Sequence, residues 1–265
     1  MPSLPTQDYW ITTELGRLYA KRWLAGTNRS REAAPIVLFH DSLGCVALWR
    51  EFPEQLALAT GRDVVAYDRL GFGQSDPNPN NLGKCFVHDE ARVGFRAVRE
   101  QLQIGPFIAF GHSVGGGMAI AVAACAGDCM GLILESAQVF VEQHTLEGIV
   151  QAQQLFQQPG QLERLKKYHG DKAAWVLRAW IDTWLAPDFA DWHLDAELRQ
   201  VPCPVLTIYG EHDEYSSLRH PEHIERLAKG GTTLKVLHGG GHVPHRENAD
   251  AVIDFIVRWL GTLAT

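Results

Sequence analysis

Six short apolar runs recur along the chain, at 35–39, 63–68, 107–111, 131–134, 204–209 and 233–237. Each is too short for a helix, and each is largely apolar. Such runs read as strands covered on both sides. Helical patterns lie between most of them, at about 47–60, 87–103 and 114–126, and a last amphipathic helix spans 247–262. Buried strands joined by helices predict an α/β fold with a doubly wound, mostly parallel sheet. Residues 8–14 and 17–24, loosely alternating around Gly16, predict an N-terminal hairpin.

The strand–helix alternation stops between about 138 and 198. This segment is helical in pattern, rich in Gln, and carries Trp175, Trp180, Trp184 and Trp192. It predicts a helical cap inserted over the sheet. The expected division is a core of 1–137 and 199–265 with a cap insertion of 138–198. A chain of 265 residues accommodates one domain with such an insertion.

Charge and cysteine content narrow the function classes. The net charge of −7 argues against nucleic acid, which selects a basic face. The five cysteines are odd in number and lack paired spacing, which predicts free thiols in a reducing compartment. Residues 1–10 hold two prolines and Asp8 with no apolar core segment, so they do not read as a signal peptide. No run of 18 or more apolar residues is present, so no membrane span is expected. These features predict a cytoplasmic protein with no membrane partner. A homodimer is compatible with them.

The chemistry centres on Gly111-His112-Ser113-Val114-Gly115. The pentapeptide follows an apolar run and opens a run of small residues. A serine on such a strand-to-helix turn is lifted clear of the sheet, and the glycines let neighbouring backbone pass closely. Its hydroxyl needs a base, and the base needs an orienting group. His242 follows the last apolar run in Gly239-Gly240-Gly241-His242, and Asp213 follows the fifth in Gly210-Glu211-His212-Asp213. Glu135, after the fourth run, is the rival acid. Backbone donors for an oxyanion are expected from Val114, at the start of its helix, and from Ser42 in His40-Asp41-Ser42-Leu43-Gly44. Asp41 and the aromatic residues Phe140, Trp180 and Trp184 are candidate substrate contacts. Packing within the cap competes with that reading for the aromatics.

Cofactor signatures are missing from the sequence. Gly71-Phe72-Gly73 is followed by Asp76 where a dinucleotide fingerprint needs a third glycine. The glycines after Ser113 lack the Lys-Ser/Thr end of a phosphate loop. His238, His242 and His245 cluster without a carboxylate or thiol at matching spacing. No metal or organic cofactor is expected.

Taken together these motifs resemble the α/β-hydrolase fold superfamily with a helical cap. The resemblance rests on 40–44, on Asp68-Arg69-Leu70-Gly71-Phe72-Gly73-Gln74-Ser75, on the elbow at Ser113, on Gly210 to Asp213 and on Gly241-His242, in that order. It implies a serine hydrolase working through an acyl-enzyme: Ser113 attacks, His242 moves the proton and Asp213 orients His242. Ser42-Leu43-Gly44 with Trp49 is similar to enol-lactonases, and a carboxylic ester or lactone of small to medium size is the expected substrate. Carbon–carbon bond hydrolases, thioesterases and triad-bearing receptors with slow turnover are the alternatives. A serine at 113 argues against haloalkane dehalogenases and epoxide hydrolases, which carry aspartate there. Asp41 stands where most members have glycine.

Overall fold

The computed structural model describes residues 3–26 and 33–263. The remainder of the expected core, residues 1–2, 27–32 and 264–265, lies outside the described residues. The chain opens with the antiparallel hairpin β1 (Thr6–Thr13) and β2 (Gly16–Trp23), turning at Gly16 as its sequence predicts. There follow β3 (Ile36–Phe39), α1 (Phe52–Thr60), β4 (Val64–Tyr67), α2 (Phe86–Asp89) and α3 (Phe95–Gln101). Then come β5 (Phe107–His112), α4 (Val114–Cys125) and β6 (Cys129–Glu135). Four helices occupy the next stretch: α5 (Gln143–Phe156), α6 (Gln161–His169), α7 (Ala173–Trp184) and α8 (Asp195–Leu198). The chain then returns to the sheet with β7 (Val205–Gly210), α9 (Arg219–Leu227), β8 (Thr232–Leu237), α10 (Pro244–Glu247) and α11 (Ala249–Leu260).

The eight strands form one sheet in the order β1-β2-β4-β3-β5-β6-β7-β8. β2 meets β4 antiparallel, and every pairing from β4 to β8 is parallel. β3, β4 and β5 are buried along their whole length. Successive side chains feed opposite faces. Val37 and Phe39 join one core with Val87, Val98, Met118 and Ile224. Ile36 and Leu38 join the other with Leu56, Val252 and Ile256. Helices therefore cover both faces, and the doubly wound α/β architecture is observed.

Three elements differ from their sequence patterns. The stretch at 47–60 is a 3-10 turn (Val46–Trp49) and then α1, broken at Arg50 with φ 53°. Pro53 sits in the first turn of α1, the position where a helix tolerates its missing N–H. The helix at 87–103 is interrupted by a π-turn at Glu90–Gly94. There Glu90 accepts a hydrogen bond from the Tyr67 hydroxyl at 2.7 Å. A Cβ on Gly94 would overlap the Glu90 carboxyl, so glycine makes room for it. β8 is not a buried strand: it closes the sheet as an edge, and Leu234 and Lys235 are exposed. The structure adds amphipathic α9, whose His220, Ile224 and Leu227 mark one face.

Candidate active site

The elbow is built by close backbone packing. Ser113 has φ 57° and ψ −125°, a conformation costly for a residue with a Cβ. The glycines on either side have concrete reasons. A Cβ on Gly111 would lie 2.2 Å from the Gly115 carbonyl oxygen. One on Gly115 would lie 2.2 Å from the Phe39 carbonyl oxygen and 2.6 Å from that of His40. The first turn of α4 is thus pressed against the chain leaving β3.

Ser113 is 4% exposed. His242 Nε2 lies 3.0 Å from Ser113 Oγ, and His242 Nδ1 lies 2.7 Å from Asp213 Oδ1. The three residues leave the C-terminal ends of β5, β7 and β8, where open parallel sheets place their ligands. Asp213 is held firmly. Its Oδ1 also accepts the amides of Tyr215 and Ser216, and its Oδ2 accepts the Ser216 hydroxyl at 2.7 Å. Burial alone would raise its pKa, but the His242 imidazole and these donors outweigh burial and hold it well below the usual carboxylate range. An ionised Asp213 fixes the Nδ1–H tautomer of His242 and leaves Nε2 free to accept the Ser113 proton. The rival acid Glu135 is turned elsewhere: its two oxygens take the His245 amide and the His245 Nδ1–H.

The β3 loop lies beside the elbow. Asp41 is engaged by the protein rather than standing free. Its Oδ1 accepts the Leu43 amide at 2.8 Å, and its Oδ2 lies 3.2 Å from His112 Nδ1. The buried Arg69 guanidinium donates to the Asp41 carbonyl at 2.8 Å. The His40 ring accepts the Arg69 amide at Nε2 and donates from Nδ1 to the Asp41 carbonyl. It is neutral, because burial and then Arg69 push its pKa well below 6.5. The Val114 amide is the first of its helix and has no intrahelical acceptor. Asp41 takes up the amides of Leu43 and Gly44 but not that of Ser42.

The aromatic candidates divide. The Trp180 ring meets Tyr215 at 5.8 Å, and Tyr215 meets the His242 ring at 4.8 Å, which brings Trp180 to the edge of the site. Trp184 is 2% exposed and packs edge-on against Phe189 and Trp192. Phe140 stacks on His220 at 4.2 Å and carries Arg219 over its ring. These two rings are therefore engaged by neighbours within the protein. A cleft of about 270 Å³ between the 81–84 loop and α7 contains none of Ser113, His242 and Asp213.

Several further residues surround the site. Gln138 Oε1 lies 3.3 Å from Ser113 Oγ and competes, at longer range, for its single proton. Glu247 accepts the amides of Gly241 and Val243 and so braces the loop carrying His242. His144 on α5 donates to the Asp213 carbonyl, and Thr145 to that of Tyr215. His169 at the end of α6 donates to the Leu43 carbonyl and accepts the Gly73 amide. Of these, Glu247, six residues from Gly241, is the one the sequence offers as a cap of the last helix or a brace for the His242 loop; the others carry no sequence signal for their contacts.

Residues 36–255 match the model of the alpha/beta hydrolase family, and the chain belongs to that family. The proline iminopeptidase of Lactiplantibacillus plantarum is 33% identical over 94 residues, 35% of this chain and 32% of that protein. The match thus spans about a third of that relative. A proline iminopeptidase structure from Mycobacterium smegmatis aligns with TM-score 0.71 at 18% identity, covering 96% of this chain and 98% of that one. A carboxylesterase structure from the thaumarchaeon Nitrososphaera gargenis aligns with TM-score 0.75 at 19% identity, over 96% and 98%. At such identities the structural likenesses speak for the fold. No helix among the described residues is long and apolar enough to cross a membrane.

Proposed function

We propose that the chain is a serine hydrolase that cleaves a carboxylic ester or lactone of small to medium size through an acyl-enzyme. The observation that carries this reading is the continuous relay from Ser113 through His242 to an ionised Asp213, with contacts of 3.0 and 2.7 Å. His242 Nε2 takes the Ser113 proton as Oγ attacks the substrate carbonyl. The amides of Val114 and Ser42 receive the oxyanion. The imidazolium, steadied by Asp213, returns its proton to the leaving oxygen. Water repeats the sequence on the acyl-enzyme and frees Ser113. The helices between β6 and β7 act as the cap, with Trp180 and Tyr215 at its inner edge. No metal or organic cofactor enters this scheme.

One observation favours a second reading. The Lactiplantibacillus plantarum match is a proline iminopeptidase, and removal of an N-terminal proline would use the same nucleophile. A panel of p-nitrophenyl acetate, a simple lactone and prolyl p-nitroanilide separates the two. The ester or lactone is expected to turn over, and Ser113→Ala is expected to lose at least about 10⁴-fold in kcat. Exclusive turnover of the prolyl substrate would transfer the site to the second reading. Turnover unchanged in Ser113→Ala would remove both.

A further inference from the structure

Beneath the relay lies a second polar system. His112, the residue before Ser113, is 1% exposed. Its Nε2 lies 2.8 Å from the carbonyl oxygen of His242, and its Nδ1 lies 3.2 Å from Asp41 Oδ2. Both partners are oxygen acceptors. A neutral imidazole has one N–H and would turn a lone pair towards one of them. An imidazolium satisfies both. Burial alone would push the His112 pKa down. The Asp41 bond and the charges of Glu135 and Asp41 outweigh burial and raise it to about 9.

We propose that Asp41 and His112 are positioning residues: Asp41 keeps His112 doubly protonated, and the His112 Nε2–H holds the backbone of His242 so that its ring stays on Ser113. This rests on the serine-hydrolase reading above for its catalytic consequence. The His242 loop is anchored at several points: Glu211 takes the Gly239 amide, the Gly240 carbonyl accepts the His212 amide, Glu247 takes the Gly241 and Val243 amides, Glu214 takes the His242 amide at 3.1 Å, and His112 grips the His242 carbonyl. Among these, His112 is the one that joins the loop to the elbow itself. Asp41 adds the β3 loop, so one ion pair ties together the three segments supplying nucleophile, base and oxyanion donor.

Other groups around His112 leave this assignment standing. His245 packs edge-on at 5.1 Å and is kept neutral, because burial lowers its pKa and it already donates to Glu135. The His242 ring is 5.2 Å away. Trp49 closes another side at 6.3 Å. His40 and Arg246 line the same small cavity as Asp41, His112 and His245. Asp41 is itself secured by the Leu43 amide and, through its carbonyl, by Arg69.

The sign of the pH effect follows. His112 is raised above its unfolded value of about 6.5, so the clamp is complete below that value and is lost as pH rises through about 9. For the wild type, kcat/KM should therefore fall by about tenfold per pH unit above that point. Asp41→Asn separates charge from shape. Its Oδ1 can keep the Leu43 amide while its Nδ2 donates to a neutral His112, which then still donates from Nε2. Whatever its kcat at pH 7, this variant should lose the alkaline limb of kcat/KM. Nitrogen-15 NMR of histidine-labelled protein, assigned with His112→Asn, should show His112 doubly protonated through pH 8 in the wild type and neutral at pH 8 in Asp41→Asn. The NMR arm needs no turnover, so its outcome stands whatever the substrate proves to be. A wild-type His112 that is neutral at pH 7.5 overturns the proposal. So does a wild-type profile flat through pH 10, or an Asp41→Asn profile that overlays the wild type.

Discussion

At the scale of single residues, the site turns on which carboxylate faces His242. Asp213 does so at 2.7 Å, and Glu135 is committed to His245. Asp213→Asn should lower kcat by about 10⁴-fold, because an amide cannot favour the productive tautomer or steady the imidazolium. Glu135→Gln should leave kcat within a few-fold but lower the melting temperature, since it weakens a fully buried pair worth about 1–3 kcal/mol. Steady-state kinetics and thermal denaturation on both variants check this, and a reversed pattern would move the acid to Glu135. Ser113, Asp213 and His242 were legible because each follows a recognisable strand, in an order that carries meaning. The partnership of Asp41 with His112 was not. Periodicity gives no direction for a loop side chain, so the sequence offers Asp41 only as a candidate substrate contact. Gln138 and Tyr215 were hidden for the same reason.

At the scale of elements, the glycines of the elbow record how closely two backbones pass. Gly115→Ala would force its new methyl into the Phe39 and His40 carbonyls, backbone atoms that cannot swing aside. A loss of about 1–3 kcal/mol or more is expected in chemical denaturation. Activity should fall further than stability, because the displaced segment carries Asp41 and Ser42. A Gly115→Ala protein as stable and active as wild type would contradict this account of the turn. The parallel strands were legible because burial on both faces leaves an unbroken apolar run. β8 lies at the sheet edge, and its run is broken by Lys235, so reading it as a buried strand overstated its burial. The breaks at Arg50 and at Glu90–Gly94 stayed invisible, because local turn geometry and the Glu90–Tyr67 contact depend on tertiary neighbours.

At the scale of the whole molecule, the helices between β6 and β7 are fastened to the loops of the site. His144 and Thr145 of α5 bond the Asp213 and Tyr215 carbonyls, and His169 of α6 bonds the Leu43 carbonyl. A Cβ on Gly148 of α5 would lie 2.5 Å from the Glu214 carbonyl oxygen. These helices therefore bear on the loop carrying Asp213 and on the β3 loop together. That a helical segment interrupts the sheet was legible at 138–198. Which of its aromatics faces the site was not, because helical spacing gives the same pattern for packing and for lining a pocket. The central claim is an activated Ser113, and covalent labelling with a fluorophosphonate, mapped by peptide mass spectrometry, tests it most directly. The account predicts one adduct, on Ser113, lost in Ser113→Ala and strongly slowed in His242→Ala. An unlabelled Ser113 in folded wild-type protein, or equal labelling with His242 removed, would contradict it.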